Sequence, residues 1–237
     1  MEEAGTMSNI FKEFESNTQL AKNLASDISL KLQNSIDEKG IATLLLSGGN
    51  TPKLFLQELS KIEIDWKNVS VGLVDERWID SSLEDSNAHL LKENLLINSA
   101  KEAKFIGMYL DGIEAKDAEK KCSELYKEEF ENIDVLVLGM GADAHTASLF
   151  PNNEKLDEAF DLENKNFCIN INPTTAPYSR MSLTLSAILS AKNIILHIEG
   201  EKKLEVYNDI LKSDDFHKYP INSVLKQNKK DIEVYFS

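Results

Sequence analysis

Asp143 and His145 are the residues best placed for chemistry in this 237-residue chain, two positions apart behind the apolar run Val135-Leu136-Val137-Leu138 and the glycines Gly139 and Gly141. An imidazole ordinarily titrates near neutrality, so His145 can take a proton from an attacking water, and a neighbouring carboxylate can orient the ring and favour the imidazolium. A lone loop histidine is more often structural than catalytic, so its surroundings must decide. The same residues, Gly139 to Ala144, also fit the loose G-x-G-x-x-G/A dinucleotide pattern, with the acids Asp161 and Glu163 about twenty residues further on. Against that alternative stand its place past the middle of the chain and the charge of Asp143, which would face a pyrophosphate.

Three further clusters repeat the layout of an apolar run followed by polar chemistry. Ala42 to Leu46 leads into Ser47-Gly48-Gly49-Asn50-Thr51-Pro52. Thr51 suits an N-cap and Pro52 a first helical position, so this turn would present free N–H groups and a helix N-terminus to an anion such as phosphate. An ordinary capped strand-to-helix turn would look the same. Val69 to Val74 runs into Asp75-Glu76-Arg77, where Arg77 can bind an oxyanion or phosphate through its planar fork, or belong to a solvated charged loop. Ile194 to Ile198 ends at Glu199-Gly200, with Glu201-Lys202-Lys203 opening a helix.

The elements needed to gather these clusters follow from apolar periodicity. Ile10, Phe11, Phe14, Leu20, Leu24, Ile28 and Leu32 recur at helical spacing, which predicts an opening helical region from Ile10 to about Glu38. Ser86 or Asn87 caps a helix carrying Leu90, Leu91, Leu95 and Leu96, and Lys116 to Phe130 forms another. Phe167 to Ile171 is a strand, followed by a proline-rich turn ending at Arg180 and a helical face that starts at Leu183. Strands alternating with helices predict an α/β fold, a doubly wound, mostly parallel sheet with helices on both faces, in one domain over residues 1–237. Ligands of such sheets bind outside the carboxyl ends of the strands, so one rim would collect all four clusters. Met7 offers an alternative start, which would make residues 1–6 a leader or remnant.

Charge and composition remove several classes of function. With 26 basic and 40 acidic residues the formal charge is −14, which repels nucleic acid and anionic membrane surfaces. Neither is an expected partner, and an anionic substrate would need locally concentrated cations. Cys122 and Cys168 have the spacing of neither a metal site nor a redox pair, and no metal or cofactor is expected. No leader-like segment and no run of about eighteen apolar residues occurs, which predicts a cytoplasmic protein; the sequence is silent on oligomeric state, for which a monomer or weak homodimer is the expectation. The G-x-S-x-G and H-E-x-x-H patterns of serine and zinc hydrolases are absent.

Read in order, LLLSGGNTPKLF, VGLVDERWI, EDSNAHLLKENLL, VLVLGMGADAHTASLFP, and SRMSLTLSAI with IEGEKK resemble the motif series of the 6-phosphogluconolactonase family over nearly the whole chain. The resemblance implies a Rossmann-like fold of the kind shared by glucosamine-6-phosphate deaminase and ribose-5-phosphate isomerase. It implies hydrolysis of a phosphorylated sugar lactone, 6-phospho-D-glucono-1,5-lactone, to 6-phospho-D-gluconate, the second step of the pentose phosphate pathway. Carried over by motif, phosphate binding falls on Ser47, Gly48, Gly49 and Thr51, with Arg180 and Lys203 as basic partners. The base falls on His145 with Asp143 beside it; Arg77 and Asp75 meet the substrate. One departure is Ala144, where the family usually has glycine. We expect a negative φ there, with the family glycine serving close approach rather than backbone conformation.

Two rivals remain. An amino-sugar-phosphate deaminase or isomerase on the same scaffold would carry a catalytic glutamate five residues after the histidine, where this chain has Phe150, and DEY where it has Asp75-Glu76-Arg77. A non-catalytic sugar-phosphate-binding protein would keep the phosphate cradle and lose the base.

Overall fold

Runs of apolar residues buried on both faces make parallel strands, and the chain supplies them at intervals that leave room for helices. A computed structural model describes residues 9–237, so the alternative start at Met7 lies outside the described residues. The amino-terminal half contains β1 (Asn9–Glu13), α1 (Asn17–Lys39), β2 (Ala42–Leu46), α2 (Lys53–Ser60), β3 (Val69–Leu73), β4 (Asp75–Arg77), α3 (Asn87–Asn94) and β5 (Lys104–Phe105). Then come α4 (Ala115–Phe130), β6 (Val135–Gly139), α5 (Leu156–Phe160), β7 (Cys168–Ile171), β8 (Arg180–Leu183) and α6 (Leu185–Ser190). The last elements are β9 (Asn193–Ile198), α7 (Glu201–Ile210), α8 (Asn222–Leu225) and β10 (Ile232–Phe236).

Seven strands form a parallel sheet in the order β1-β10-β9-β6-β2-β3-β5. Alternation along the strands assigns the helices to its two faces. Tyr235 reaches Asp27 of α1, and its register partner His197 packs edge-on against Phe55 of α2, so α1 and α2 share one face. On the other face Phe11 meets Tyr207 of α7, while Gly72 lies so close to Phe130 of α4 that an added Cβ would stand 2.5 Å from its ring. The sheet is doubly wound, as expected, and one continuous apolar core runs through it.

Four local expectations are corrected. Ile10, Phe11 and Phe14 belong not to an opening helix but to β1 and the residues just after it. Over so short a span their spacing suits either form, and β10 decides by supplying ladder partners from Asn9↔Ile232 to Glu13↔Phe236. α1 starts afresh behind Ser16, which caps it by accepting from the Gln19 N–H at 3.2 Å, and Gly40 ends it with φ 82°. β10 itself lies beyond the last expected strand. Asp75 to Arg77 forms no solvated loop: it is β4, in a second, antiparallel sheet ordered β4-β8-β7, and Arg180 and Leu183 belong to β8 rather than to a turn and a helix.

The second sheet is anchored by a carboxylate. Glu76 points away from Asp75 and Arg77, is fully buried, and accepts four hydrogen bonds: from the N–H groups of Arg77, Asn87 and Ala88 at 2.8, 2.7 and 2.8 Å and from the Ser86 hydroxyl at 2.9 Å. Burial pushes this carboxyl up, and the four donors pull the other way. Two of them are open N–H groups at the start of α3, where a negative charge also complements the helix dipole. A buried donor left without an acceptor costs about 1–3 kcal/mol. Glu76→Ala should therefore lower stability by roughly 3 kcal/mol or more, seen as a lower urea midpoint with little change in slope.

Candidate active site

A cavity of about 430 Å³ opens at the carboxyl ends of β2, β6 and β9, a volume suited to a small metabolite. Ser47, Gly48, Gly49, Thr51, Asp75 and Arg77 line it. So do His145, Arg180 and Lys203, which come from three other segments. Asp143 stands behind His145 and reaches the cavity only through it.

The loop after β6 is shaped to hold His145. Its Nδ1 lies 2.5 Å from Asp143 Oδ1, which also accepts the His145 backbone N–H at 3.2 Å. Because a carboxylate can only accept, Nδ1 carries a proton, and in the neutral ring Nε2 is the nitrogen with the lone pair. Burial alone would raise the Asp143 carboxyl, but the bond to His145 and its charge hold it below the usual range. Phe150 stacks on the imidazole with ring centroids 4.6 Å apart, and the Arg180 guanidinium lies 5.7 Å from the Phe150 ring centre. Gly141 is required: a Cβ there would stand 2.2 Å from His145 Nδ1 and 2.6 Å from Asp143 Oδ1. No helix follows it until α5, so the dinucleotide alternative lacks the helix N-terminus that would hold a pyrophosphate.

Ala144 is fully buried with φ 66°, which overturns the expected negative value. The loop turns back on itself so that the Gly141 N–H reaches the His145 carbonyl at 2.9 Å, and the Ala144 N–H reaches the Gly141 carbonyl at 3.0 Å. That tight return puts Ala144 in the left-handed region, where its Cβ crowds the neighbouring carbonyl. Glycine at this family position therefore has a conformational reason.

Cations face the cavity from two sides. Arg77 and Arg180 are register partners on β4 and β8, so two like charges stand directly opposite on one face. Arg77 Nη1 donates to the Asp85 carbonyl, and Arg180 Nη2 donates to the Pro177 carbonyl at 3.0 Å, but the buried Nε of Arg180 has no partner. Burial lowers the Arg180 pKa; Asp75 opposes that and Arg77 reinforces it. On the far side Lys203, also lowered by burial and supported by Glu199, donates to Thr51 Oγ1 at 3.3 Å. Thr51 is not the cap of α2, which begins at Lys53 behind Pro52 with no side-chain cap; the Lys53 N–H reaches the Asn50 carbonyl at 3.3 Å. The amides of Gly48, Gly49, Asn50 and Thr51 reach no backbone carbonyl.

Other residues join the site without having been expected there. Asn87, considered only as a helix cap, donates to the Asp75 carbonyl at 2.8 Å and sits where any Cβ on Gly48 would fall, 1.8 Å from its Oδ1. Ser86 is the actual cap. Ser148 donates to Asp75 Oδ2 at 2.6 Å and ties the His145 loop to β4. Tyr178 bonds Asp85 across the cavity wall at 3.1 Å, and His197 closes the floor. Only His197 left a trace in the sequence: it is the one polar side chain inside the run Ile194 to Ile198. Among the described residues no cluster of His, Cys, Asp or Glu has the arrangement of a metal site, and no helix is long and apolar enough to cross a membrane.

The fold and cavity define a doubly wound α/β protein with a cation-lined pocket at the carboxyl rim of its parallel sheet. Residues 15–233 match the family described as glucosamine-6-phosphate isomerases/6-phosphogluconolactonase, and the chain belongs to that family. It is 38% identical over 206 residues to the 6-phosphogluconolactonase of Pseudomonas aeruginosa, covering 87% of each chain. Against that of Neisseria meningitidis it is 37% identical over 229 residues, 96% of this chain and 99% of the other. The crystal structure of a 6-phosphogluconolactonase from Shewanella baltica superposes with a TM-score of 0.93 at 42% identity, covering 98% and 99% of the two chains. A monomeric glucosamine-6-phosphate deaminase, 17% identical with a TM-score of 0.76, shares the fold.

The geometry at Ala144 makes a testable claim. Relief of left-handed strain, about 1–2 kcal/mol, exceeds the 0.4–1 kcal/mol that glycine's unfolded-state freedom costs. Ala144→Gly should thus raise the melting temperature, by roughly 0.5–1 kcal/mol in stability. An unchanged or lower melting temperature would show that this turn carries no strain.

Proposed function

We propose that the protein is a carboxylic-ester hydrolase with the activity of a 6-phosphogluconolactonase, converting 6-phospho-D-glucono-1,5-lactone to 6-phospho-D-gluconate in the pentose phosphate pathway. The observation that carries the chemical part is the Asp143–His145 pair on the cavity wall, with Nδ1 bound to the carboxylate and Nε2 left as the free base. His145 Nε2 takes a proton from water as its oxygen bonds to the lactone carbonyl carbon. The ring C–O bond then breaks, and the imidazolium returns the proton to the departing ring oxygen, leaving a carboxylic acid that ionises. Asp143 favours the imidazolium between these steps, and Arg77 or loop amides offset the oxyanion charge.

The substrate's phosphate sits in the loop Ser47 to Thr51, where open amides, Lys203 and Arg180 provide complementary charge. Asp75, held by Ser148 and Asn87, faces the sugar. Phe150 argues against the deaminase rival, since a phenylalanine stacked on the imidazole can relay no proton where that enzyme needs a carboxylate. A binding protein without catalysis would have no use for the oriented Asp143–His145 pair.

Lactone generated enzymatically should disappear faster with the protein than by spontaneous hydrolysis; no acceleration would sink this function. His145→Ala should lower kcat by roughly 10²–10⁴-fold while product binding survives, the usual contribution of a general base. Replacing Arg180 or Lys203 with alanine should raise KM for the phosphorylated lactone and spare activity on unphosphorylated gluconolactone. Equal losses on both substrates would remove these residues from the phosphate site.

A further inference from the structure

His197 is a buried imidazole that the steps above leave without a task. It is 2% exposed, lines the floor of the cavity, and its Nδ1 has no hydrogen-bond partner. Its Nε2 lies 2.9 Å from Glu199 Oε1, and Glu199 is in turn held by Asn17 at 2.8 Å. A carboxylate can only accept, so Nε2 is the nitrogen that bears hydrogen. In the neutral ring Nδ1 is then a buried, unpartnered lone pair on a side chain that lines the cavity, able to donate to an anion only after gaining a proton. A buried polar atom without a partner is uncommon and calls for an explanation.

The surroundings indicate which ligand supplies it. Across the sheet His197 is the register partner of Gly139, whose N–H reaches Ser47 Oγ at 3.3 Å, so the ring stands beside the start of the loop Ser47 to Thr51. Phe55, in the first turn of α2 behind that loop, packs edge-on against it with centroids 5.8 Å apart. The ionisable groups around it are Glu199 just past the end of its own strand, Lys203 from α7 and Tyr235 from β10, whose hydroxyl is taken up by Asp27 and Lys12. α1 contributes the uncharged Asn17, α2 the uncharged Phe55 and β6 the bare Gly139. Glu199, Lys203 and Tyr235 each have a hydrogen-bond partner within the protein, and His197 Nδ1 has none.

We propose that His197 is a proton-accepting ligand of the substrate's phosphate: binding of the dianion is coupled to protonation of Nδ1, which then donates to a phosphate oxygen while Nε2 stays on Glu199. The inference rests on the phosphate position given above and adds a residue and a proton to it. The affinity for phosphorylated ligands should then fall as pH rises, because the free protein must take a proton from solvent to bind.

Calorimetry of 6-phosphogluconate binding at pH 7.5, in buffers of different ionisation enthalpy, measures the proton directly. A phosphate monoester has its second pKa near 6, so the ligand is already dianionic. Wild type should take up a substantial fraction of one proton; no uptake would overturn the proposal whatever any variant does. His197→Asn keeps a polar atom near the Nδ1 position but cannot titrate. It should abolish the uptake and weaken binding roughly tenfold or more, the worth of a charge-assisted hydrogen bond. His145→Gln should leave the uptake intact, and equal uptake by the His197→Asn protein would assign the proton elsewhere. Should that variant fail to fold, nitrogen-15 spectra of the wild-type imidazoles with and without ligand report the same event: Nδ1 of His197 must become protonated on binding, and an unprotonated Nδ1 in the complex refutes the idea. Inorganic phosphate as a second probe separates this inference from the function. Proton-linked phosphate binding without lactone hydrolysis would overturn the lactonase activity alone, and lactone hydrolysis without proton uptake would overturn the role of His197 alone.

Discussion

The buried carboxylate of Glu76 is the constraint from which the site is built. Four donors from β4 and the start of α3 meet on it, so strand and helix cannot shift independently without leaving buried N–H groups unpaired. Strand alternation then turns Asp75 and Arg77 to the opposite side, into the cavity. Fixing the start of α3 also places Asn87, which occupies the space over Gly48 and holds the Asp75 backbone. One charged group with no path to the cavity thus sets the geometry of a wall, of the loop beside it and of the residue that faces Arg180 across the small sheet.

The charge distribution has the same logic on a larger scale. A chain with a formal charge of −14 brings Arg77, Arg180 and Lys203 to one pocket. Arg77 and Arg180 stand opposite each other, and burial lowers the pKa of Arg180 and of Lys203. Such an arrangement is unfavourable by itself and would be relieved by a bound anion, which is the physical basis of the phosphate site proposed above. Phe150, stacked on His145 and 5.7 Å from the Arg180 guanidinium, brings no proton-transferring group to the imidazole.

Backbone strain accompanies the loop that holds His145. Ala144 and Ala147 both have positive φ in the loop around His145, at 66° and 50°. The loop is held in that shape by Ser148 on Asp75, Thr146 Oγ1 on the Gly139 carbonyl at 2.9 Å and the Ile221 N–H on the Ala144 carbonyl at 3.2 Å. Residues forced into sparsely populated conformations persist only when the surrounding contacts over-determine them, and here those contacts come from three separate segments.

Periodicity and motif order alone were sufficient for the doubly wound sheet, the rim on which the four polar clusters meet, and the lining residues Ser47, Gly48, Gly49, Thr51, Asp75, Arg77, His145, Arg180 and Lys203. These follow from local rules: an apolar run of five residues followed by glycine ends a strand, and parallel strands all end on the same side. Whatever depended on how the chain closes on itself in space was out of reach. β1 became a strand because β10, more than two hundred residues later, pairs with it; Asp75 to Arg77 became a strand because β8 does. The sign of φ at Ala144 was decided by the closure of its loop onto Gly141 and the contact with Ile221, and the unpartnered nitrogen of His197 by where Glu199 and the loop of β2 happen to lie. A residue's type and neighbours in sequence state what it can bond; which bonds are left for a ligand is known only after the rest of the chain has taken its share.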